Sequence, residues 1–277
     1  MQTYLRDCRW GKFLLLRGDM ISQNVDVWGE WAEAEITLFR SILRVDSNVV
    51  EIGSNIGMHA IPLAMICAKG KVFCHEPQRP IFHILCANIA LNNLLNIVAR
   101  QCAVGASDGE ALIQTSDYDE PWNYGSFSIS KGFDTEGDYP APANREAATV
   151  LALDTDPLMA SLDKIDLIKI DVEGFEPEVV RGARDLIAKH RPYVFVEANR
   201  KDVVDAVSAE LNKLDYKGHW YCASRYRNDN FNRCRWVKTD AYDPNILFAP
   251  REAAVPNGLV PVSGFADLES GLPLYSV

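Results

Sequence analysis

The stretch Val49-Val50-Glu51-Ile52-Gly53-Ser54-Asn55-Ile56-Gly57 carries a short apolar strand into a turn with two glycines, and a helix-length apolar segment follows it. Strand, glycine turn and helix in that order place the turn where a cofactor loop belongs. Gly53 and Gly57 let the backbone turn sharply and come close to a ligand, and the next helix offers free N–H groups. Outward from this loop, the runs 49–52, 72–75, 99–104, 167–170 and 193–196 read as buried strands. They are rich in Val, Ile and Phe, as parallel strands covered on both faces must be. Helices are predicted between them over 56–68, 79–91 and 177–189, the last with an acidic first turn and a basic end. The alternation predicts an α/β fold: a doubly wound, mostly parallel sheet with helices on both faces.

A length of 277 residues suits one elaborated α/β domain. Residues 1–45 are expected to form an N-terminal extension packing on the core. It has an extended piece around 12–16, a turn at Gly18-Asp19 and a helix over 30–43 whose Trp31, Ala34, Leu38 and Ile42 share one face. Residues 46–277 make the main domain, with an inserted substrate loop at 114–148 rich in Asp, Gly, Pro, Ser and Tyr. A helix over 202–214, a polar aromatic stretch at 219–236 and a last strand at 246–248 complete the chain.

The net charge of −10, from 28 basic and 38 acidic residues, argues against nucleic acid as a partner. Seven scattered cysteines with no C-x-x-C pair read as reduced thiols. There is no signal peptide pattern and no apolar run near the ~20 residues of a membrane span. A cytoplasmic protein is expected.

The loop distinguishes two cofactors. Asn55 holds the place of the second glycine of G-x-G-x-x-G, which weakens a dinucleotide reading. Glu51 would repel a pyrophosphate and favour the ammonium and sulfonium of S-adenosylmethionine. Nineteen residues past Gly57, Glu76 ends the second strand, where a carboxylate can accept both ribose hydroxyl hydrogens, flanked by Pro77 and Gln78. His59 is expected near the methionine part of the cofactor, and His75 reads as packed in its strand. The strand at 167–170 delivers Asp171 and Glu173 to the edge where ligands sit in such sheets. A rival reading pairs Asp171 with Lys169 or an Arg and makes Glu173 a helix cap. Glu197 and Asn199 end the next strand; with Asp171 they are oxygen ligands of the kind a Mg²⁺-like cation takes.

With these residues the sequence resembles the FkbM-type methyltransferase family. The matching stretches are Val50 to Gly57, Ala103-Val104-Gly105 with Asp108-Gly109, Asp166 to Gly174 with the following segment 178–183, and 245–250. The resemblance implies a class I (Rossmann-like) methyltransferase fold, S-adenosylmethionine as methyl donor, and O-methylation of a sugar, glycan or polyketide hydroxyl. It makes Asp171 and Glu173 the active-site carboxylates and adds Ala103 and Val104 to the cofactor set. Ser54 and Glu51 depart from the family's usual Ala and Asp.

A weakly nucleophilic hydroxyl needs a base or a cation near it; Asp171 or Glu173 is expected to serve, helped by Glu197 and a divalent cation, with His219 as an alternative base. Trp122, Tyr124, Trp220 and Trp236 are candidates to stack on a sugar. The alternatives are an NAD-dependent oxidoreductase, a non-catalytic glycan-binding module, and transfer to a nitrogen.

Overall fold

The computed structural model describes residues 1–142, 144–235, 242–272 and 274–275. An N-terminal hairpin, β1 (Thr3–Cys8) and β2 (Gly11–Leu16), leads to α1 (Met20–Trp28) and α2 (Glu33–Ile42). The next elements are β3 (Val49–Ile52), α3 (Ala60–Ile66), β4 (Val72–His75), α4 (Arg79–Leu91) and β5 (Ile97–Arg100). A side sheet contains β6 (Ala103–Val104), β7 (Gly109–Thr115) and β8 (Asn144–Leu151). A short α5 (Pro157–Ala160) leads to β9 (Leu167–Ile170), α6 (Glu176–Gly182), α7 (Arg184–His190), β10 (Tyr193–Glu197) and α8 (Lys201–Asn212). The chain closes with β11 (Tyr216–Ser224), β12 (Tyr242–Pro250), β13 (Val260–Pro261), a 3₁₀ turn (Phe265–Ser270) and β14 (Leu274–Tyr275).

The main sheet has the order β13-β11-β12-β10-β9-β3-β4-β5, with β14 on β11. From β10 to β5 all neighbours are parallel, and β12 is antiparallel to β10. This is the expected doubly wound sheet. Side chains alternate between its two covered faces. Val50, Ile52, Ile168, Ile170 and Val194 pack with Val179, Ile187 and Val203 of α6, α7 and α8. Val49, Leu167, Phe195 and Leu247 pack with Ile36, Phe39 and Leu63 of α2 and α3. The strand order reverses between β3 and β9, which opens a crevice at the carboxyl ends of those strands.

Several predicted elements differ in ways that matter to this crevice. The helix predicted over 56–68 starts only at Ala60, because Asn55 and Gly57 take left-handed backbone at φ 47° and 92° and keep the chain turning to His59. The single strand predicted over 99–104 divides: β5 pairs with β4, whereas β6 pairs with β8. The helix predicted over 177–189 breaks around Ala183 into α6 and α7. The predicted insert at 114–148 overlaps the ends of a β7–β8 hairpin. The helix predicted over 30–43 is α2 alone; α1 precedes it, capped where Asp19 accepts a hydrogen bond from the Ser22 N–H at 2.8 Å. Much of the polar stretch at 219–236 begins as the long strand β11.

Candidate active site

The crevice is a cleft at the switch point, lined by the 53–56 turn, the ends of β3 and β4, and the 171–173 segment. Gly53 forms its floor in a way the sequence did not anticipate. At φ 81° its Cα lies against the carbonyl of Asp171, and a Cβ there would overlap that oxygen. The glycine thus seats the cofactor loop against the neighbouring strand end. Of the expected cofactor residues, Gly53, Ser54, Asn55, His59, Glu76, Pro77, Gln78, Ala103, Val104 and Asp171 line the cleft.

Glu51 does not line it. Its side chain is buried in the sheet, where it receives a thiol hydrogen bond from Cys74 at 3.7 Å. Burial pushes its pKa up, and Lys169 and His59 oppose that shift. Its side chain is therefore not at hand for the expected direct contact with a sulfonium. Gly57 also stands back from the cleft, packed with its Cα against Leu85.

Glu76 is buried, and each of its oxygens accepts a backbone N–H, from Asn55 at 3.0 Å and from Gln78 at 2.9 Å. Desolvation raises its pKa to about 7, and those two bonds oppose the shift. The Asn55 N–H is thus already committed to a carboxylate. Gln78 lines the cleft and its amide has a second task. Its amide donates to the Tyr124 carbonyl at 3.2 Å and accepts from the Tyr118 hydroxyl at 3.1 Å. It ties the crossing segment between β7 and β8 to the cofactor strand.

That segment folds over the cleft. Asn123, Gly125, Phe127 and Ile129 line it from above, and Met20, Ile21 and Trp31 line it from the N-terminal layer. Tyr118, Tyr124 and Phe133 make a buried aromatic cluster, with Tyr139 against Phe133 at 4.8 Å between ring centroids. Trp122 donates its indole N–H to the Phe133 carbonyl at 3.1 Å. Trp122 and Tyr124 are therefore packing residues of this cover, not open stacking faces. Trp220 is buried with its indole N–H on Asp267 at 2.8 Å, and Trp236 lies outside the described residues. His219, the alternative base, sits on β11 opposite Leu247 and lines neither this cleft nor the pocket beside it.

The acidic end of the cleft is built around one buried cation. Lys169 is 2% exposed, and its Nζ lies 2.8 Å from Asp171 Oδ2. Burial alone would lower its pKa, but Asp171, Glu51 and Glu35 reverse the sign and hold the ammonium charged. The rival reading of Asp171 thus describes its contact correctly, yet Asp171 still faces the cleft. Glu173 has left-handed backbone at φ 52° and lines both the cleft and an adjoining polar pocket. It is not the helix cap; Glu176 accepts from the N–H groups of Val172 at 3.2 Å and Gly174 at 3.1 Å.

The adjoining pocket is lined by Glu173, Glu197, Asn199, Glu136, Arg200 and Asp243 among others. Burial, followed by the charge of Asp171, pushes both Glu173 and Glu197 well up, and an Asn199 hydrogen bond offsets this at Glu173. Glu197 Oε2 is buried with no hydrogen-bond partner among the described residues. Asp243 is paired with Arg225, whose guanidinium lies 5.2 Å from the Trp31 ring centroid.

Of the expected metal set, Asp171 lines the cleft, and Glu197 and Asn199 line the adjoining pocket. Asp171 is engaged by Lys169, and Asn199 hydrogen-bonds Glu173. Among the described residues no group of three or more His, Cys, Asp or Glu side chains is arranged to hold a metal ion. Sequence reading underused Lys169 and Glu35. A lysine inside an otherwise apolar buried strand signals a carboxylate partner. Glu35 lies four residues beyond Trp31 on α2 and accepts from the Asn245 amide at 3.2 Å while facing His59 Nε2 at 3.1 Å. No sequence signal marked Met20, Ile21 or Asn123, which tertiary packing alone brings to the cleft.

Residues 51–217 match the model of the methyltransferase FkbM domain. The chain is 26% identical over 187 residues to "Methyltransferase 1" of Beauveria bassiana (strain ARSEF 2860), covering 64% of this chain and 69% of that protein. It is 28% identical over 155 residues to "Methyltransferase sdnD" of Sordaria araneosa, covering 48% and 59%. A solved structure of a methyltransferase FkbM from Methylobacillus flagellatus KT aligns at TM-score 0.47 and 18% identity, covering 74% of this chain and 44% of that one. The chain thus spans less than half the length of that solved protein. No helix among the described residues is long and apolar enough to cross a membrane.

Proposed function

The chain belongs to the FkbM methyltransferase family, and from that premise we propose that it moves the methyl group of S-adenosylmethionine to a hydroxyl of a sugar, glycan or related natural-product acceptor. The observation that carries this reading is the junction at Glu173, which lines both the cleft at the glycine turn and the adjoining polar pocket. A cofactor half in the first and a hydroxyl-bearing acceptor in the second would meet beside Asp171 and Glu173. The residues fit such a cofactor: Glu76 is placed for a diol, and the cleft is lined by both apolar and polar groups, as such pockets are. An NAD-dependent reading is disfavoured because the Asn55 N–H, which a pyrophosphate would need, already serves Glu76.

When bound, the cofactor supplies an electrophilic methyl group, and alignment of the acceptor oxygen then accounts for much of the acceleration. The chain's own groups divide the remaining work. Lys169 holds Asp171 beside the cleft, where its carboxylate orients the acceptor hydroxyl. Glu173, whose pKa burial raises to about 8, accepts the hydroxyl proton in its ionised form. Glu197, kept neutral by burial, offers a hydrogen bond to further acceptor oxygens. The aromatic cover excludes water from the transfer.

Calorimetric titration with S-adenosylmethionine, S-adenosylhomocysteine and NAD tests the cofactor. Saturable binding of the first two alone is the expected result, followed by radiolabelled methyl transfer to a panel of sugar and polyketide alcohols. Binding of NAD alone refutes the reading.

A further inference from the structure

Resting on the S-adenosylmethionine reading, we propose that His75 is a specificity residue of the cofactor cleft: its Nε2 accepts a hydrogen bond from a donor on the adenosine half. His75 ends β4, directly before Glu76, and is 1% exposed while lining the cleft. Its Nδ1 lies 3.3 Å from the carbonyl oxygen of Glu51, which can only accept. That contact fixes the tautomer: the proton sits on Nδ1, and Nε2 carries a bare lone pair. Nε2 is a buried nitrogen with no partner among the described residues. A buried acceptor without a partner costs about 1–3 kcal/mol, which a ligand donor recovers on binding.

The surroundings keep the ring neutral. Burial lowers its pKa to about 4; the neighbouring Arg100 adds to that, while the Glu51 carbonyl and Asp156 oppose it. Arg100 and Asp156 are themselves paired. The site therefore accepts and cannot donate at neutral pH. Adenosine offers donors of two kinds, the exocyclic amine of its base and the hydroxyls of its ribose. Glu76, one residue on, is already placed for the ribose diol, which favours the amine for His75.

The test uses the whole protein and S-adenosylhomocysteine, by calorimetry. His75→Phe removes the acceptor and keeps a ring; His75→Asn keeps a small polar side chain. Each variant's melting temperature is measured first. The expected result is a roughly tenfold weaker Kd for His75→Phe, as the loss of one such bond implies. The inosine analogue, which lacks the amine, should bind wild type weaker by a similar factor and His75→Phe no weaker still. If a 2′- or 3′-deoxy analogue shows that pattern instead, the donor is the hydroxyl and His75 remains the acceptor. In ¹⁵N-histidine-labelled wild type, the His75 Nε2 resonance should move upfield when the ligand binds, which a purely structural role would not cause. Unchanged affinity in His75→Phe, or an Nε2 resonance that does not move, overturns the proposal while leaving the cofactor reading standing. Failure of wild type to bind S-adenosylhomocysteine at all overturns both.

Discussion

Replacing Lys169 by Met keeps the length and apolar stem of the side chain but removes the one ammonium among Asp171, Glu51 and Glu35. Breaking a buried ion pair by deleting one partner costs about 3–5 kcal/mol, because the other charge is left uncompensated. Asp171 is 39% exposed at its side chain and can be solvated in part, so the lower end applies, about 3 kcal/mol. Glu51 cannot be relieved in that way, being buried with a thiol as its partner. The pH dependence follows from its sign. Burial already raises the Glu51 pKa, and the Lys169 charge that lowers it would be gone. An acid with a raised folded pKa binds protons more tightly when folded, so the penalty grows as pH rises above its unfolded value. The Lys169→Met protein should lose about 3 kcal/mol at pH 8 and clearly less near pH 5. For a chain of this size that is a fall of roughly 6–12 °C in Tm. Urea denaturation followed by far-UV circular dichroism at both pH values measures it. A loss under about 1 kcal/mol at pH 8, or one that does not change with pH, would refute the account of the buried cation.

Asp171→Asn should abolish methyl transfer while leaving S-adenosylhomocysteine affinity within about threefold and the circular dichroism spectrum unchanged; wild-type turnover would remove Asp171 from the site. Gly53→Ala forces a Cβ onto the Asp171 carbonyl at a left-handed backbone position, so it should cost at least ~2 kcal/mol by urea denaturation and abolish cofactor binding. Glu76, with its pKa near 7, should accept ribose hydroxyls best as a carboxylate. S-adenosylhomocysteine binding should then tighten as pH rises through 7 and release protons below it, measured by calorimetry in buffers of different ionisation enthalpy; Glu76→Gln should lose both the affinity and the pH dependence.

What the sequence determined by itself was whatever depends on local pattern. The apolar run at Val49 to Ile52, the glycines that follow it, and the repeated strand and helix spacing require a doubly wound sheet, because a buried parallel strand and an amphipathic helix each have one way to hide their apolar surface. The carboxylates at Glu76, Asp171, Glu173 and Glu197 were legible for the same reason, since each ends a strand at the edge where the crevice must open. Tertiary structure decided which way each group faces and what it meets. Glu51 and Lys169 are direct neighbours across β3 and β9 and share one sheet face, yet Lys169 lines the cleft while the Glu51 carboxylate stays within the sheet against Cys74. Gln78 and Tyr124 are 46 residues apart and His59 and Glu35 lie on separate elements, so no local spacing could pair them. The role of His75 depends on a carbonyl on the adjacent strand, and only the register of β3 against β4 brings that acceptor to its ring.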